Sequence, residues 1–178
     1  MRKIEILGPA GSKEGIYAAL NAGADAVYVG TSRFGARAFA KNPSVEELEE
    51  ALVYAHLRDK KIYLTVNTLL TDQEIQGQLY EMIAPLYEAG LDACIVQDPG
   101  VMSFLHRNFP EMDSYASTQM TFFSVGIEAN LYKILGNQIC RPGNCQLRKL
   151  NRRGNRQIWR WRYLYMVLCV IVTPASAL

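Results

Sequence analysis

The feature that most constrains this sequence is a repeated switch from helix-period segments to short apolar runs, marked twice by one motif. Ala22-Gly23-Ala24-Asp25-Ala26 and Ala89-Gly90-Leu91-Asp92-Ala93 share the pattern A-G-x-D-A. In each copy the glycine supplies the left-handed residue that closes a helix, and the aspartate sits in the tight turn into a strand. Equivalent units in tandem predict a parallel sheet covered by helices.

The elements between the motifs follow the same alternation. Ile4–Leu7 reads as a first strand, stopped by a turn at Gly8-Pro9-Ala10-Gly11. Ser12 caps a helix through Ala22, which Gly23 ends. Ala26–Val29 reads as a buried strand ending at Gly30. Ser44 and Glu47 form a capping box, and Val45, Leu48, Leu52 and Ala55 line one face of the helix it opens. Lys61–Val66 is the third strand, ending at Asn67-Thr68. Asp72 starts a helix that carries Ile75, Leu79, Ile83 and Leu86 to Gly90. Ala93–Val96, a short helix Met102–Phe109 stopped by Pro110, strand Ser114–Ala116 and helix Phe122–Leu135 complete the series, and Asn137–Cys140 starts a sixth strand.

The choice lies between an open doubly wound sheet and a (β/α)₈ barrel. No G-x-G-x-x-G follows the first strand, and polar residues gather where nearly every strand ends, which suits a barrel mouth. The expected fold class is α/β: a partial TIM-like barrel of about five βα units and a stub. Both folds bind ligands at the C-terminal ends of the strands. Those ends carry Gly8–Gly11, Arg33, Arg37, Asn67, Thr68, Gln97, Asp98, Ser117, Thr118 and Gln119. Asp98 is the one carboxylate there, which suits a general base or ion ligand, although Pro99-Gly100 behind it also suits a helix cap. Asn67 and Gln119 offer amides that donate and accept; Asn67 also suits a turn closure. Thr118 and Gln119 extend a run of polar residues that has no packing reason. The expected catalytic set is Asp98, Asn67, Gln119 and Thr118, with Arg33 and Arg37, four apart, clamping a substrate phosphate or carboxylate. No metal-ligand set stands out. His56 and His106 fall late in helices, and Cys94 falls inside a strand, so all three read as structural.

Charge divides the chain. Residues 1–136 hold 11 Lys+Arg and all 17 Asp+Glu, a net of −6, whereas residues 137–178 hold 8 Lys+Arg and no acid. An acid-free stretch of that length arises about one time in a hundred from the chain's own composition. Residues 1–136 are therefore expected to be the folded part, and 137–178 a basic tail without an independent fold. The composition, 49% hydrophobic and 20% charged, is that of a globular protein. No run approaches the ~20 apolar residues of a membrane span. Four scattered cysteines (Cys94, Cys140, Cys145, Cys169) lack a secreted-scaffold spacing, and a reducing cytoplasm is expected.

Six strings occur in order over residues 1–136: E-I-L-G-P-A-G-S from Glu5, A-G-A-D-A-V-Y-V-G from Ala22, R-F-G-A-R-A-F from Arg33, V-N-T-L from Val66, V-Q-D-P-G from Val96 and A-S-T-Q-M from Ala116. Together they resemble the start of the collagenase-like peptidases, the unassigned-type peptidase family thirty-two. The resemblance implies a barrel-like N-terminal domain and peptide hydrolysis. For some members it implies instead a part in RNA base hydroxylation (tRNA or 23S rRNA) or quinone synthesis. It further implies a later cysteine signature near H-G-A-L-C-x-x-Y-S-G-x-C, and in some full-length members an iron–sulfur cluster held by cysteines. That signature is absent as written, so no cofactor is expected in this stretch.

The tail has a simple account. Read from the third base of each codon, residues 165–177 permit H-G-A-L-C-x-x-Y-S-G-Q-C, and residues 141–146 permit A-R-E-L-S, another string of the same family. Two strings in one shifted frame, in order, support a frame disruption near codons 137–142, and the shifted text regains acids. The chain is then expected to be an inactive, truncated member, prone to aggregation or chaperone contact, whose parent acts on peptide or RNA. The alternatives are an Arg/aromatic nucleic-acid-binding tail over Arg148–Tyr163 and an interfacial anchor over Tyr163–Leu178.

Overall fold

The computed structural model describes residues 5–31, 33–34 and 42–117, and the backbone of 138–141 and 162–163. Within them a parallel sheet runs β1 (Leu7–Ala10), β2 (Ala26–Gly30), β3 (Lys61–Val66), β4 (Ala93–Val96), β5 (Asp113–Ala116), β6 (Gln138–Arg141), β7 (Arg162–Tyr163), each paired with the next in chain order. A doubly wound sheet reverses its order at a switch point; an order that never reverses is the wall of a barrel. The expected helix Phe122–Leu135 lies outside the described residues.

Each helix begins where its sequence supplies a cap. In α1 (Lys13–Asn21) the Ser12 side chain accepts from the Gly15 N–H. In α2 (Val45–His56) Ser44 and Glu47 form the reciprocal capping box. A second box, Thr71 with Glu74, opens α3 (Asp72–Glu74), which continues through a π turn (Ile75–Leu79) into α4 (Tyr80–Glu88). Asp98 caps α5 (Pro99–Asn108).

Two boundaries differ by three residues from the sequence reading. The first strand is not Ile4–Leu7 followed by a turn; Gly8, Pro9 and Ala10 are themselves in β1. Among the described strands β1 pairs only with β2, so the missing N–H of Pro9 removes no ladder bond from a second neighbour. Gly8 is buried beneath Ala19 and Ala24, which lets α1 lie close on the strand. The helix expected at Met102–Phe109 starts three residues earlier, because Pro99 is preorganised for a first helical turn and Asp98 caps it.

The sheet has two unlike faces. Val27, Val29, Ile62, Leu64, Val66, Cys94 and Val96 point to the helices and join Ile16, Leu48, Leu52, Leu79, Ile83 and Leu86 in the main core. Burying each large aliphatic side chain contributes about 1.5–3 kcal/mol. The opposite face carries Ala26, Tyr63, Ala93 and Tyr115, with Leu7, Tyr28 and Ile95 packed against them. This is the barrel interior.

The two A-G-x-D-A copies do the same job in three dimensions. Gly23 and Gly90 have φ of 103° and 90°, as a left-handed helix closure needs. Asp25 Oδ2 accepts from the Ile6 N–H at 3.0 Å, and Asp92 Oδ2 accepts from the Ile62 N–H at 2.8 Å. Each aspartate thus ties the start of its own strand to the start of the strand before it. Lys60 pairs with Asp25 at 3.2 Å and His56 with Asp92 at 3.2 Å.

Candidate functional site

The C-terminal ends of β3, β4 and β5 are held in line by ladder bonds that run one residue past the strands. The Gln97 N–H donates to the Val66 carbonyl at 3.3 Å, and the Ser117 N–H donates to the Val96 carbonyl at 2.7 Å. The Asn67 N–H and the Thr68 hydroxyl both donate to the Phe34 carbonyl, at 3.1 and 3.2 Å. Phe34 is buried, so this residue is pinned against the end of β3. Buried Thr31 is tied as well: its hydroxyl donates to Met82 Sδ at 3.4 Å, and its carbonyl accepts from the Asn42 amide at 3.2 Å.

Side chains alternate along a strand, so one parity of residues lines the barrel interior. The register sets Thr65 beside Ile95 and Ile95 beside Tyr115. Two residues on in each strand stand Asn67, Gln97 and Ser117, with the same parity. They form one row at the mouth, with neighbouring backbones about 4.8 Å apart. Ser117 is buried, and Asn67 and Gln97 are half-buried. Beneath the row lie Thr65 and Ile95, then the tyrosines. Tyr63 and Tyr115 meet edge to face with centroids 5.4 Å apart. The Tyr63 hydroxyl donates to Glu5 at 2.6 Å, and the Tyr115 hydroxyl donates to Asp113 Oδ2 at 3.1 Å. These bonds turn the phenol hydroxyls toward the N-terminal side and leave a largely apolar floor below the row.

The expected site residues fall as follows. Asn67 and Asp98 end adjacent strands at the same edge of the sheet. Asp98 Oδ1 accepts from the Gly100 and Val101 N–H groups, so this oxygen is committed to the first turn of α5. Arg33 is exposed beside the pinned Phe34. Arg37, Thr118 and Gln119 lie outside the described residues. Asp98 ranked highest in the sequence for its charge, but Gln97 has the interior parity. The signal for Gln97 was present in the alternation Ala93, Ile95, Gln97, once the strand's buried face is known.

Cys94 is enclosed on the helix side of the sheet, next to Met112, and burial pushes its thiol far above the ordinary range. No group of three or more His, Cys, Asp or Glu side chains converges among the described residues. The described residues therefore do not fit an iron–sulfur group; Cys145 and Cys169, and the Cys140 side chain, lie outside them. Among the described residues no helix is long and apolar enough to cross a membrane.

Among known proteins, this chain is 40% identical over 117 residues to the 23S rRNA 5-hydroxycytidine C2501 synthase of Escherichia coli, an alignment covering 66% of this chain and 17% of that protein. It is 35% identical over 137 residues to a tRNA hydroxylation protein P of Helicobacter pylori strain J99, covering 76% of this chain and 32% of that protein. The chain thus spans less than a third of the length of either relative. Among solved structures, the U32 peptidase Mk0906 shares the fold with a TM-score of 0.60 at 14% identity, covering 79% of this chain and 59% of that one. The sequence profile of peptidase family U32 matches residues 11–142. With that match over most of its length, on a parallel barrel wall with a polar mouth, the chain belongs to peptidase family U32.

Proposed function

We propose that this chain is part of a protein that takes part in hydroxylating pyrimidine bases of tRNA or 23S rRNA. The observation that carries this reading is the identity of 35–40% to proteins named for RNA hydroxylation. The site chemistry supports it. The mouth row is made of neutral amides and a hydroxyl above an apolar floor, which suits a base better than a charged group. The second reading, peptide hydrolysis, draws on the family's description. It needs a nucleophile with a base in reach. Of the described candidates, the Cys94 thiol is enclosed and held protonated, and His56 pairs with Asp92 at the opposite end of the sheet.

The test is deletion of the locus, followed by mass spectrometry of nucleosides from tRNA and rRNA. Loss of a hydroxylated pyrimidine, restored by the gene, is the expected result. Unchanged nucleosides, together with peptide cleavage by the intact protein that Asp98→Ala abolishes, would establish the peptidase reading instead.

A further inference from the structure

The mouth row has a chemical character that narrows its ligand. Asn67, Gln97 and Ser117 stand in register at the ends of three consecutive parallel strands, on the interior parity, and none carries a charge. Their backbones are held by the ladder itself, through the Val66 and Val96 carbonyls, and by buried Phe34. The row's backbone is therefore fixed at the mouth. Across three strands it spans roughly 10 Å. The Gln97 amide can donate and accept along one edge of a planar group. Ile95 and Tyr28, both half-buried, supply an apolar and an aromatic surface below. Asp98, the charge nearest in sequence, has Oδ1 turned to the α5 amides. Among the described residues Gln97 has no other side-chain partner, so its amide is available.

We infer that this row seats a single unstacked pyrimidine base, and that Gln97 is its specificity-determining contact, the amide reading the edge of the ring. The inference rests on the RNA-hydroxylation reading for the identity of the base. A base must leave its stack to reach the interior of a barrel, and a neutral polar rim above an aromatic floor suits it. Gln97 acts on the ligand directly; Asn67 and Ser117 extend the same row.

The experiment is titration of the purified 178-residue chain with cytidine and with uridine, followed by ligand-observed NMR. Gln97→Leu is expected to weaken both by about fivefold, the loss of one hydrogen bond. Gln97→Glu keeps the shape but only accepts, so where the side chain meets ring position 4 it retains the cytosine amine and repels the uracil carbonyl. The cytidine-to-uridine affinity ratio should rise by about threefold or more, by the same arithmetic. A structural role alone would move both nucleosides equally. The inference falls if neither nucleoside binds, or if both variants fold and leave affinity and ratio unchanged. These outcomes are separate from the deletion test. Retained hydroxylation in a deletion strain ends the functional reading while base binding by Gln97 stands, and the reverse pair of results ends this inference alone.

Discussion

At the residue scale, Asp25 and Asp92 show how one side chain can join two strands. Asp92 accepts from the Ile62 N–H and also meets His56, with only 19% of its side chain exposed. Replacing it with alanine leaves a half-buried amide without its acceptor. Asp92→Ala should destabilise the chain by about 1–3 kcal/mol, read from urea denaturation, and Asp92→Asn, which keeps an acceptor oxygen, by less. Cys94 makes a second case. Burial favours the neutral thiol in the folded state, so the folded pKa lies above the unfolded one. The stabilisation is whole below the ordinary thiol range and declines as pH rises through it, because there the unfolded chain releases a proton that the folded chain keeps. Native protein should therefore leave Cys94 unalkylated at pH 9, as peptide mass spectrometry would record, and denatured protein should label it fully. Both residues had readable roles in the sequence, since each sits at a fixed place beside or within an apolar run.

At the element scale, helices start where short polar side chains meet the first free amides. Ser44→Ala removes one half of a capping box and should cost about 1 kcal/mol in stability. The Thr71 box carries a titration signature. Its backbone N–H, first, and its hydroxyl, second, hold the Glu74 carboxyl below its ordinary value. A depressed carboxylate adds stability above the ordinary carboxylate pKa, and this contribution is lost as pH falls through the folded value. In Thr71→Ala the hydroxyl contribution disappears, and an NMR titration should show the Glu74 pKa move up toward the ordinary range. The Ser44 box was legible from spacing alone. The start of α5 was not, because apolar periodicity begins at Val101 and Met102 whereas the helix begins at its cap. The first strand was misplaced for a related reason: Gly8 and Pro9 are turn formers, and only packing under α1 at one edge of the described sheet makes them strand.

At the scale of the whole molecule, the family match ends at residue 142, close to where acidic residues cease. We propose, from the two family strings that the shifted codons permit, that residues beyond about 141 are read in a shifted frame. Inserting or deleting one base near codons 137–142 should yield a longer chain with the cysteine signature and a melting midpoint roughly 5 °C or more above that of the 178-residue chain. Equal or lower midpoints, with an undisturbed reading frame at the locus, would make the basic tail a genuine element.

What the sequence determined by itself is what local chemistry decides. Caps at Ser12 and Ser44, closures at Gly23 and Gly90 and the apolar runs of β2, β3 and β4 depend on residues only a few positions apart, and they stand where the sequence placed them. The parallel class followed from the repetition of those units. The tertiary structure decided three things. The unreversed strand order selected a barrel wall over a doubly wound sheet. Packing at the sheet edge moved β1 onto Gly8 and Pro9. Register and parity decided which rim residue faces the interior, so that the amide of Gln97 lines the mouth while the carboxylate of Asp98 caps a helix. Each of these depends on a neighbour distant in the chain, and a side chain's facing is defined only once that neighbour is in place.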